Sequence, residues 1–86
     1  MNIKVLSFTD SIDNTKSPIV AISDFKPVNT IREVIREKVF STFGIDKGYY
    51  DSEAVAKLEL EIEKLSKGEN VKWLEYDIFF EDVPLI

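Results

Sequence analysis

The 86-residue chain reads as an α+β domain in which a small three-stranded sheet carries a helical hairpin on one face, in the order ββααβ. Three observations predict that class. β-Branched and aromatic runs occupy both ends of the chain, two segments of 3.6-residue apolar periodicity occupy its middle, and Gly, Pro, Asn and Asp punctuate the junctions. The length predicts a single domain, residues 1–86, with a stability of about 4–13 kcal/mol.

Ile3 to Phe8 is an apolar run interrupted by Lys4, and predicts a first strand buried on at least one face. Asp10 to Pro18 collects Asp, Ser, Asn, Thr and Pro around a lone Ile12, and predicts a loop of nine residues. Ile19 to Ile22 is β-branched except at Ala21 and predicts the second strand, ending near Phe25 ahead of Pro27.

Thr30 followed by Glu33 has the form of a capping box, so the first helix is expected to start there. At 100° per residue Ile31, Val34, Ile35, Val39 and Phe43 share one arc, and Gly44 is placed to end the helix in a left-handed conformation. Phe40 projects off that arc, either as part of a wider core stripe or as a surface anchor. A connector, Gly44 to Asp51, holds the adjacent Tyr49 and Tyr50. The second helix is expected from Ser52 to Lys67, capped by Asp51 or Ser52 and closed by Gly68, with Ala54, Val55, Leu58, Ile62 and Leu65 as its buried stripe. Lys57 and Glu61 form an attractive i,i+4 pair, and Leu60 lies opposite the stripe.

Val71 to Phe80 gives the clearest strand signal. Alternation places Leu74, Tyr76, Ile78 and Phe80 on the core face, and Val71, Trp73, Glu75, Asp77 and Phe79 on the other. If each element reverses direction, this last strand lies antiparallel beside the second strand or parallel beside the first. The tail, Val83 to Ile86, is apolar to its end and either packs back on the domain or stands out as a hook.

Composition narrows the chemistry. With no His and no Cys, the commonest general base, the commonest metal ligand and the thiol nucleophile are all missing, so no catalytic residues and no cofactor or metal are expected. Glu75 and Asp77 have a spacing that two-carboxylate hydrolysis would tolerate, but so short a chain has little material to wall a cleft around them. Gly44 and Gly48 lack the Gly-Lys-Ser/Thr ending of a phosphate-binding loop. No apolar run approaches the roughly 20 residues that span a bilayer. The expected location is the cytoplasm, away from membranes.

Charge is uneven. Residues 1–45 carry five acids and six bases, for +1, and residues 46–86 carry eleven acids and five bases, for −6, which sum to the net −5. Such a surface repels phosphate, so direct nucleic-acid binding is not expected and a basic protein partner is the natural complement. The expected function is therefore a small acidic interaction module, an inhibitor that occupies a basic, nucleic-acid-binding surface. Its expected contact residues are Trp73, Glu75, Asp77 and Phe79, with Tyr49, Tyr50 and Leu60 as further large side chains lacking an assured core position. The competing expectation is an assembly protein that pairs with its own copy through an open sheet face or edge. In size, in nine Lys against two Arg, and in its acidic second half, the chain is similar to small accessory proteins of phages and other mobile elements. Some of these inhibit host nucleic-acid enzymes, and the resemblance implies that context without assigning any residue.

Overall fold

The structure, a computed structural model, describes residues 2–23 and 29–84. Its strands are β1 (Asn2–Asp10), β2 (Lys16–Ser23), β3 (Val71–Trp73) and β4 (Tyr76–Pro84), and its helices are α1 (Asn29–Phe43) and α2 (Ser52–Leu65), with a short 3₁₀ turn at Ile45–Lys47. The class is α+β as expected, but the sheet has four antiparallel strands in the order β2-β1-β4-β3 and the chain runs ββααββ. The expected end of the second strand near Phe25 and Pro27 lies outside the described residues, as do Leu85 and Ile86 of the tail.

One turn accounts for the extra strand. Leu74 and Glu75 reverse the chain in the middle of the apolar run, so that Trp73 opposes Tyr76 across a hairpin. Leu74 takes φ +53° there, a left-handed backbone that glycine adopts freely and leucine does not. Residues opposed across antiparallel strands share a sheet face. Trp73 therefore joins Tyr76 and Ile78 on one face, and Phe79 goes to the other. The reversal also turns β4 so that it pairs antiparallel with β1 along its whole length, from Asn2 opposite Pro84 to Asp10 opposite Tyr76.

The loop between β1 and β2 is shorter than expected because β2 begins at Lys16, not Ile19. Asp10 and Asp13 build it locally. The Asp10 carboxylate accepts the Ile12 amide at 2.9 Å and the Asp13 carboxylate accepts the Thr15 amide at 3.0 Å, two turns of the side-chain-to-backbone kind. Pro18 is tolerated within β2 because β2 is an edge strand and a bulge shifts its register beside Leu6 and Ser7.

Both helices pack on the face that carries Leu6, Ile22, Trp73 and Ile78, and the core closes around Ile35, Val39, Leu58, Ile62 and Leu65. Thr30 lies inside the first turn of α1, one residue after Asn29, so it is not the residue ahead of the helix that a capping box requires. Phe40 is core, with the Arg36 guanidinium 4.3 Å above its ring, whereas Val34 is exposed despite sharing the apolar arc. Gly44 takes φ +66° as its position after α1 requires. In α2 the Asp51 carboxylate accepts the Ala54 amide at 2.8 Å, so Asp51 is the cap, and the helix stops at Leu65, two residues before Lys67. Lys57 reaches back to Glu53 at 3.5 Å, and Glu61 is paired with Lys64 at 3.8 Å.

Candidate functional site

The expected contact face does not exist as a unit. Trp73 is 2% exposed. Its indole N–H donates to the Ala54 carbonyl at 2.9 Å, and its rings meet Phe43 at 5.2 Å and Tyr50 at 5.0 Å. Glu75 stands in the turn, while Asp77 and Phe79 lie on the sheet face away from the helices. Tyr50 is partly buried against the core. Tyr49 is exposed beside Gly44, and Leu60 is exposed alone among the charged residues of α2. The expectation failed at Trp73 because alternation was carried through a turn that contains no Gly, Pro, Asn or Asp. The one signal available was length, since ten residues from Val71 to Phe80 exceed the usual strand of about 5–6.

The uneven charge also resolves differently in three dimensions. Four of the first half's cations pair with acids of the second half: Lys4 with Asp82 at 3.0 Å, Lys16 with Glu81 at 2.9 Å, Arg32 with Glu63 at 2.5 Å and Arg36 with Glu59 at 2.7 Å. Each is a surface pair worth at most about 1 kcal/mol. Their larger effect is on distribution: with Lys57–Glu53 and Lys64–Glu61 inside α2, they leave the acids of α2 and the far half of β4 paired.

Among the described residues, Glu33 and Glu37 on α1 and Glu69 after α2 stand without an ion pair, and six further unpaired carboxylates lie toward the end of the molecule where the turns meet. The Ser11 amide donates to the Glu75 carbonyl at 2.9 Å, which ties the β1–β2 turn to the β3–β4 turn. The Gly44–Asp51 connector reaches the same end, where Phe43 and Tyr50 meet Trp73. Asp10, Asp13, Asp46, Asp51, Glu75 and Asp77 thus lie on neighbouring segments, with Lys16, Lys47 and Lys72 as the bases nearby. Hydrogen bonds from the Thr15 hydroxyl, and then from its amide, hold the Asp13 carboxyl below its ordinary pKa and so keep it charged.

Two apolar side chains protrude among these acids. Ile12 is 76% exposed and Leu74 is 49% exposed, on the two turns that the Ser11–Glu75 bond joins. Ile12 stands out because the Asp10 and Asp13 carboxylates fix the backbone on both sides of it. Leu74 stands out because it occupies the corner of a hairpin in a conformation its side chain disfavours. The sequence marks neither as a contact residue, since Ile12 falls in the predicted loop and Leu74 on the predicted core face.

At the same end Tyr76, opposite Asp10, is partly buried, and its hydroxyl pKa is raised by that burial and then by the neighbouring Tyr50, Asp10 and Glu75. Among the described residues there is no pocket and no group of acidic side chains placed to hold a metal ion. None of the described helices is long and apolar enough to cross a membrane. No protein-family model, no curated protein and no solved structure matches the chain.

Proposed function

We propose that the chain is a small protein-interaction module whose contact surface is the end of the sheet where the two turns meet. Ile12 and Leu74 are its apolar anchors, and Asp10, Asp13 and Glu75 surround them with negative charge. The partner that fits is a protein with a cationic surface around an apolar recess, such as a nucleic-acid-binding groove, where the carboxylates take the places of phosphates. One observation carries the reading: an exposed leucine is held at φ +53° beside an exposed isoleucine. Placing a leucine where glycine fits at less cost works against stability, and such strain gathers at functional positions. The reading assigns no chemical step to the chain. Trp73, buried in the core, takes no part in this surface, and Glu75 remains in it.

Acids that steer an encounter make it salt-dependent, whereas apolar anchors set how long the complex lasts. The test is capture of partners from the native host by immobilised protein, with Ile12→Ser/Leu74→Gly as the comparison. Capture of a basic protein should weaken at high salt, fall when free nucleic acid competes, and be lost in the double variant. If the double variant captures the same protein with unchanged strength, the turn end is not the contact surface.

A further inference from the structure

The face of the sheet opposite the helices is a second surface, independent of the turn end. Its rows follow from the register. Lys16, Thr9, Asp77 and Lys72 form a polar row nearest the turns, followed by Pro18, Ser7 and Phe79, then Ala21, Val5 and Glu81, and last Ser23, Ile3 and Val83. No described helix covers them, yet most side chains of the last three rows are apolar. A sheet with apolar rows on both faces and helices on one is a layered fold with one layer missing. We infer that this face packs against the same face of a second copy of the chain, forming a two-fold dimer.

Charge selects the occupant. The molecule carries −5 overall, but the outer face holds Lys16 and Lys72 against Asp77 and Glu81 and is balanced. Lys16 and Glu81 join at 2.9 Å across β1, which also accounts for the burial of Ser7 on a face without a helix. A like-charged copy can therefore approach here without the repulsion it meets elsewhere, and a cationic partner gains nothing here.

The edges do not compete for the copy. Pro18 interrupts β2, and Pro84 sits in β4 beyond the stretch that β3 covers, so neither open edge offers a continuous row of amides for strand addition. Growth is limited to one face, and a face-to-face pair closes at two copies. Three strands of eight or nine residues and the three-residue β3, at about 3.3 Å per residue and about 4.8 Å spacing, give roughly 450 Å² in plan. Two copies then bury about 900 Å², the size of a weak and transient interface, so association in the micromolar range is expected.

Sedimentation equilibrium from about 2 to 500 µM tests this, spanning that range. The average mass should rise from monomer to dimer. Ala21→Arg and Val83→Arg, both at exposed positions whose substitution leaves the core intact, should each weaken association at least about tenfold without lowering the thermal midpoint. Ile12→Ser should leave association unchanged, which separates this face from the turn end. A chain that stays monomeric throughout overturns the inference, as does a dimer indifferent to both arginine substitutions or one abolished by Ile12→Ser.

Discussion

Replacing Leu74 by alanine and, separately, by glycine isolates the backbone conformation on which the proposed contact surface rests. At an ordinary position glycine is the less stable of the two by roughly 0.5–1 kcal/mol, because its unfolded chain has more freedom to lose. At φ +53° the order reverses. An L-residue there costs about 1–2 kcal/mol that glycine does not. Subtracting the entropy advantage of alanine leaves glycine ahead by about 0.8 kcal/mol, or about 4 °C in thermal midpoint for a chain of this length. Both variants delete the same half-exposed side chain beyond Cβ, so the lost contacts nearly cancel in the comparison. Urea unfolding of the pair, with equal slopes, measures the difference directly. Alanine equal to or more stable than glycine would refute a left-handed turn at Leu74, and with it both the hairpin and the strain argument.

Trp73→Ala should cost about 3–5 kcal/mol, a large share of the total, because it empties a buried site and breaks the bond to Ala54. A loss under about 1 kcal/mol in equilibrium unfolding, as expected for a surface residue, would return Trp73 to the outside. Above pH 10.0, the ordinary value for tyrosine, stability should fall because the raised pKa of Tyr76 keeps its proton bound in the folded state after the unfolded chain has released it. In unfolding measured across that range, Tyr76→Phe should show a shallower decline than the parent chain, and equal slopes would remove Tyr76 as the cause.

The helices were legible because their signals are local. The stripe of Leu58, Ile62 and Leu65, the Asp51 cap and the left-handed Gly44 each act within one turn of chain, and the structure realises all of them. The class followed from the same kind of signal at the strands. Phe40 stood at the limit of that logic, since the cover that completes its burial is the guanidinium of Arg36 four residues earlier. The candidate surface was less legible. Its acids were evident in composition, but which of them remain unpaired depends on contacts such as Arg36 with Glu59 that join distant parts of the chain.

Taken alone, the sequence determined that this is an α+β chain with two amphipathic helices, the second capped by Asp51, without imidazole or thiol, and rich in acids toward its end. Tertiary structure decided which side of the sheet Trp73 occupies, where β4 pairs, and where negative charge is left exposed. The physical reason is range. Periodicity and caps are settled by neighbours within about four residues, whereas the face a strand residue takes changes parity with a single turn and is fixed only by the partner strand it meets.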